Sequence, residues 1–159
     1  MRRKQQLNGY EDVKEKALRL LEFRSHSEKE LSDKLKRQGA SDEHIEMTLD
    51  FCRRYGFVND EAFARHKAND LFKLKHLGIR RIRSELKAIG IADEFIDSAV
   101  SELDDNDELE ALHGLVERKL NGDFSDKNKD KCMRYFIYRG YDLYDIKDTI
   151  RLLEEEYEI

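Results

Sequence analysis

A self-similarity of about 50 residues constrains this chain more than any other feature of its sequence. Three glycines, Gly39, Gly90 and Gly140, stand 51 and then 50 residues apart. Eight residues before each come Leu31, Ile82 and Cys132, and four before come Leu35, Leu86 and Phe136. Six residues after stand Ile45, Ile96 and Ile146, and ten after stand Leu49, Val100 and Ile150. The first two units also agree upstream, pairing Ala17 with Ala68, Leu20 with Leu71 and Leu21 with Phe72. The third unit loses that upstream register, which points to a different linker near Asn121-Gly122-Asp123. Such a period marks stacked modules, each unable to bury its apolar stripe alone.

Each unit reads as three helices. In the first, Val13, Ala17, Leu20 and Leu21 share one stripe of a helix near 10–24. Ser27-Glu28-Lys29-Glu30 has the form of a capping box that opens a second helix, and Gly39 supplies its left-handed stop. Ser41 caps a third helix with Asp42 and Glu43 in its first turn, where the helix dipole favours acids. Asn59-Asp60 opens the second unit, Gly78 breaks it, and Asp93 starts its last helix. Asn106 or Asp107, Asp126 and Asp142 start the three helices of the third. The expectation is an all-α chain, a tandem array of three three-helix repeats with about nine helices of roughly 11–16 residues, elongated and curved. The units divide as 1–57 with an N-terminal extension, 58–105 and 106–159. A compact helical bundle is the rival, and the period weighs against it.

Composition agrees. Proline is absent from all 159 residues, as suits a chain that is helical nearly throughout. Charged residues make up 41% and the apolar types 39%, low for one globule but sufficient for thin, wet layers. No apolar run approaches the roughly 20 residues that span a bilayer, and basic Met1-Arg2-Arg3-Lys4-Gln5 lacks the hydrophobic stretch of a secretory signal. Cys52 and Cys132 sit in apolar helical patterns and read as reduced, structural thiols. A cytoplasmic protein without a membrane segment is expected.

No catalytic centre, cofactor or metal site is expected. His26, His44, His66, His76 and His113 show no ligand-like spacing and read as exposed helix histidines. The eight glycines are isolated, so no phosphate loop exists, and the acidic run Glu102, Asp104, Asp105, Asp107, Glu108, Glu110 reads as a solvated turn. Charge is uneven. Residues 1–100 hold 21 Lys and Arg against 18 acids, whereas residues 101–159 hold 9 against 17. A polyanion contact therefore belongs in the first two thirds, because phosphate affinity depends on basic side chains displacing counterions.

One stretch stands out there. Lys73 to Gly90 carries Lys73, Lys75, Arg80, Arg81, Arg83 and Lys87 against the single acid Glu85. On a helix after Gly78, Ile79, Ile82, Leu86 and Ile89 form the buried stripe. Arg80, Arg83 and Lys87 then flank it, while Arg81 points elsewhere. Arginines beside a buried seam suit carboxylates or phosphates, though a merely solvated basic face has the same pattern. Arg24, Lys34 and Arg37 belong to a weaker patch diluted by Glu28, Glu30 and Asp33. Tyr135, Tyr138, Tyr141 and Tyr144 recur every third residue and read as core and seam rather than as a base-stacking platform.

Four segments in order resemble one family. Ser27-Glu28-Lys29-Glu30-Leu31-Ser32-Asp33-Lys34-Leu35, Gly56-Phe57-Val58-Asn59-Asp60-Glu61-Ala62-Phe63, Gly78-Ile79-Arg80-Arg81-Ile82-Arg83-Ser84-Glu85-Leu86 with Gly90-Ile91, and Arg139-Gly140-Tyr141 are similar to RecX motifs. The resemblance covers about 13–153. It implies a bacterial DNA-repair regulator of homologous recombination and the SOS response. Such a protein binds the RecA nucleoprotein filament along its groove and mostly inhibits its ATPase, strand-exchange and coprotease activities. Its partners would be the RecA filament and single- or double-stranded DNA within it. Polar outer faces favour a monomer. A protein acting on free single- or double-stranded DNA, and a helical adaptor for some other partner, are the competing readings.

Overall fold

The structure, a computed structural model, describes residues 7–103 and 105–158. The basic residues 1–5 and Asp104 of the acidic run lie outside the described residues. Nine helices occur among those described, with no strand: α1 Tyr10–Phe23, α2 Glu28–Arg37, α3 Asp42–Arg54, α4 Asp60–Lys73, α5 Ile79–Ala88, α6 Asp93–Ser101, α7 Asp105–Leu120, α8 Asp126–Tyr138 and α9 Leu143–Tyr157. The all-helical tandem array expected from the period is what forms. Helix lengths run from 9 to 16 residues, shorter at the low end than the pattern suggested. Helix α7 begins at Asp105, one residue before the earlier of the two expected starts.

Local chemistry sets the helix ends. Ser27 closes a full capping box, its hydroxyl accepting from the Glu30 N–H at 3.1 Å while the Glu30 carboxylate accepts from the Ser27 N–H at 3.3 Å. Ser41, Asn59 and Asp142 cap α3, α4 and α9 by accepting first-turn N–H bonds. The three repeated glycines have φ of 92°, 82° and 100°, where a side chain would be strained. Beyond each glycine the chain closes the same Schellman pair: Ala40, Ile91 and Tyr141 N–H groups donate back to Leu35, Leu86 and Phe136 carbonyls at 3.0–3.1 Å.

All twelve apolar residues aligned at the four offsets are buried. The register extends further, since the residue after each glycine (Ala40, Ile91, Tyr141) is buried too. Each unit has its own core. Leu31, Leu35, Ile45 and Leu49 anchor the first, Ile82, Leu86, Ile96 and Val100 the second, and Phe136, Ile146, Ile150 and Leu153 the third. Extensive helix packing falls within α1–α3, α4–α6 and α7–α9. Fully burying one such side chain is worth roughly 1.5–3 kcal/mol. Cys52 and Cys132 are free and buried in different units, and burial pushes their thiols up, Cys132 to about 11.

Successive units meet at two joints built to one plan: the start of a middle helix receives the end of the next unit's middle helix. At the first joint the Ser27 hydroxyl donates to the Ile89 carbonyl at 2.7 Å, and the Glu28 N–H donates to the Asp60 carboxylate at 2.9 Å. At the second the Gly78 N–H donates to the Arg139 carbonyl at 2.9 Å, the Arg80 N–H to the Gly140 carbonyl at 3.2 Å, and the Ile79 N–H to the Glu108 carboxylate at 3.1 Å. Asp60 and Glu108 thus do the same work one repeat apart, each satisfying an orphan N–H at a helix start. Burial holds both carboxyls above their usual range.

Candidate partner-binding surface

Helix α5 is the strut between the joints. Ten residues at 1.5 Å rise make it roughly 15 Å long, its start against the third unit and its end against the first. The basic stretch follows it. Arg80 crosses to the third unit and pairs with Asp142 at 2.6 Å. Arg81 lies with its guanidinium carbon 5.0 Å from the Tyr138 ring centroid and pairs with Glu85 at 2.9 Å. Arg83 pairs with Asp97 of α6 at 2.6 Å, and Lys87 stands 4.0 Å from Asp93. The expected single face of Arg80, Arg83 and Lys87 is therefore divided. Arg80 and Arg81 turn toward the third unit, and Arg83 and Lys87 toward acids of their own.

Lys73 and Lys75 are exposed at the end of α4 and carry no ion pair among the described residues. The backbone carbonyl of Lys75 accepts from the Arg139 guanidinium. Arg24, Lys34 and Arg37 lie apart in the first unit. Arg24 pairs with Glu30 at 2.7 Å, Arg37 donates to the Asp33 carbonyl at 3.2 Å, and Lys34 lies 2.8 Å from the ring of His26. Lys34 and Arg37 line a shallow cleft with Ala88 and Ile89, the end of α5. The nine candidate cations are thus spread over the two joints, the end of α4 and the α5–α6 pair, not gathered on one surface.

Two sequence readings need correction. His26 is buried between α1 and α2, not exposed on a helix. Its Nδ1 lies 2.9 Å from the Arg24 carbonyl, so that nitrogen carries the proton and Nε2 accepts from Lys34. Burial first, then Arg24 and Lys34, hold its pKa below the ordinary histidine value. His76 lies in the α4–α5 connection with φ of 55°. Of the four tyrosines only Tyr141 is core, its hydroxyl donating to the His76 carbonyl at 3.0 Å. Tyr138 and Tyr144 are 73% and 83% exposed, and Tyr135 is on the surface as well. The reading of all four as core and seam therefore holds for Tyr141, while Tyr135 and Tyr138 of α8 and Tyr144 of α9 lie open.

Sequence reasoning also missed a cationic cleft at the second joint, because its residues come from a net-acidic unit. A hollow of about 270 Å³ is lined by His76, Leu115, Arg118, Lys119, Tyr135, Phe136 and Arg139. Lys119 Nζ stands 4.1 Å from the Tyr135 ring centroid, and the Arg139 guanidinium carbon 5.5 Å. The comparable cleft at the first joint, lined in part by His26, Phe57, Phe63, His66, Lys67 and Asp70, carries mixed charge. No group of three or more metal-ligating side chains occurs among the described residues, and no described helix is long and apolar enough to cross a membrane.

Comparison with known proteins brings these features under one family. Models of the first and second three-helix domains of RecX match residues 14–52 and 59–100. The regulatory protein RecX of Clostridioides difficile is 36% identical over 156 residues, covering 94% of this chain and 73% of that protein. That of Vibrio campbellii is 32% identical over 145 residues, covering 90% and 92%. The Clostridium botulinum protein of the same name is 30% identical over 143 residues, and the chain spans 66% of its length. The crystal structure of RecX from Lactobacillus salivarius superposes with a TM-score of 0.81 at 20% identity, over 91% of this chain and 96% of that one, a likeness of fold.

Proposed function

The chain belongs to the RecX family, and from that premise we propose that it is a regulatory protein that binds the RecA nucleoprotein filament and mostly inhibits its ATPase, strand-exchange and coprotease activities. The observation that carries this reading is the 32–36% identity to regulatory RecX proteins over nearly the whole three-unit length. An array of serial units offers a long surface of repeated joints, which suits a helical polymer better than a closed pocket would. The protein acts by contact, as a cytoplasmic monomer with no catalytic step of its own.

Lys73, Lys75, Arg80, Arg81, Arg83 and Lys87 form the main contact, with Arg24, Lys34 and Arg37 as a second patch toward the first unit. Within the main contact the labour is divided. Arg80, Arg81 and Arg83 are bound to acids of the chain and hold its shape, so reversing their charge would also break three internal ion pairs. Lys73 and Lys75 hold no ion pair among the described residues, Lys87 only one at 4.0 Å, and these are the side chains available to a partner.

Co-sedimentation with RecA filaments therefore uses Lys73→Glu/Lys75→Glu/Lys87→Glu. It should keep wild-type helicity and lose at least about tenfold in filament affinity, the scale of a few phosphate or carboxylate contacts. Undiminished binding would remove these lysines from the contact. Tight binding of the wild type to naked DNA at physiological salt, with no preference for RecA-coated DNA, would favour action on free DNA instead.

A further inference from the structure

The second joint holds an arrangement that the filament reading does not use. The third unit, residues 106–159, carries 14 acidic residues against 9 basic ones, yet three of those nine, Arg118, Lys119 and Arg139, converge on one cleft that no carboxylate lines. His76, from the second unit, adds a fourth nitrogen base, held at the rim by the bond from the Tyr141 hydroxyl to its carbonyl. Arg118 and Lys119 form no ion pair among the described residues, whereas Lys129 and Arg151 of the same unit each hold two acids. Chance placement in so acidic a unit would put a carboxylate against such a cluster. Like charges gathered without a counter-charge repel one another and gain from an anion between them.

The anion's chemistry follows from the lining. Two guanidinium groups offer paired donors to an oxyanion with several oxygens, which fits a phosphate better than a single carboxylate. At about 270 Å³ the hollow takes one phosphate group with a short attachment, not a large ligand. Beside it, Tyr135 and Tyr138 stand three residues apart on α8, both exposed and both within cation–π reach of Lys119, Arg139 or Arg81. Alternating cations and open aromatic rings are what a phosphate followed by a base requires.

We propose that this cleft binds the phosphate of a nucleotide, with His76, Arg118, Lys119 and Arg139 around the anion and Tyr135 beside it. Free nucleotides and single-stranded nucleic acid share that chemistry. The assignment goes beyond the filament reading and stands without it, since Arg118, Lys119 and Arg139 lie outside the basic stretch of α5.

The test measures binding of fluorescein-labelled single-stranded oligothymidylate, and of ATP, to the full chain by anisotropy and calorimetry. Arg118→Gln/Lys119→Gln changes two exposed positions of α7. It is compared with Lys127→Gln/Lys147→Gln, which removes the same charge from exposed positions at the start of α8 and on α9 that do not line the cleft. The cleft variant should lose about tenfold in affinity and flatten the salt dependence by about 1.4 in slope for two lost contacts to a strand. The control should stay within about twofold. Competition by ATP at concentrations that displace the oligonucleotide identifies a free nucleotide as the ligand, and binding of the oligonucleotide alone identifies a strand. Equal losses in both variants would reduce the effect to net charge and overturn the proposal. So would tight binding of a polyglutamate peptide with none of either phosphate ligand.

Discussion

The two joints share a plan and differ in material. The first is closed by side chains. The Ser27 hydroxyl bonds Ile89, the Asp60 carboxylate accepts from the Glu28 N–H at 2.9 Å, and the Lys29 methylenes lie over Gly90. The second adds backbone against backbone to its side-chain bonds, with Gly78 and Gly140 so near that a Cβ on Gly78 would stand 2.5 Å from the Gly140 carbonyl. A joint of side chains can shift rotamers and titrate. Where backbone meets backbone, as at Gly78 and Gly140, the surfaces can only fit or separate. That contrast assigns shape to the second joint and adjustability to the first, and it can be broken experimentally.

The largest effects should come from the glycines. Gly140→Ala combines left-handed strain with a Cβ driven into the Arg81 backbone and should cost roughly 3 kcal/mol or more in urea unfolding. Gly39→Ala, with similar φ but open space, should cost only about 1–2 kcal/mol. Gly90→Ala should fall between them, because the Lys29 side chain can move aside. Gly78 has an ordinary φ of −76°, so any large loss in Gly78→Ala measures the close approach alone. Equal costs for all three left-handed glycines would erase the distinction between the joints.

Ser27→Ala comes next. It removes the cap of α2 and leaves the Ile89 carbonyl without its donor, for a loss of about 1–2 kcal/mol. A smaller effect is expected from acid. His26 has a folded pKa below its ordinary 6.5, so the neutral ring is the stable partner for Lys34. Its contribution is fully present above about pH 6.5 and is lost as pH falls from there through the lowered folded value. His26→Gln should flatten the pH dependence of stability in that window, and an unchanged slope would show that the ring does not report on the joint. The second joint has Leu77 where the first has His26. Smallest of all, Arg80→Ala should cost less than about 1 kcal/mol, because its pair with Asp142 is largely exposed to solvent.

The helices and their cores were legible because they are written locally. Each cap at Ser27 and Ser41, and each stop at Gly39, Gly90 and Gly140, lies within a dozen residues of the apolar positions it frames. The joints were not, since Ser27 meets Ile89, and Arg80 meets Asp142, across 62 residues. That separation is one repeat plus one helix length, so aligning the end of each middle helix with the start of the previous one would have revealed it. The division of the α5 arginines depended on the same contacts. The cleft around Tyr135 escaped for a different reason: the charge of the third unit as a whole hid three cations that only folding brings together.

On the reading proposed above, the protein regulates RecA by contact with its filament. The direct measurement of that regulation is the ATPase rate of RecA on single-stranded DNA with increasing amounts of this protein. The expected result is a fall to a low plateau near stoichiometric amounts, with filaments still carrying the protein. A rate unchanged by stoichiometric protein would contradict the account.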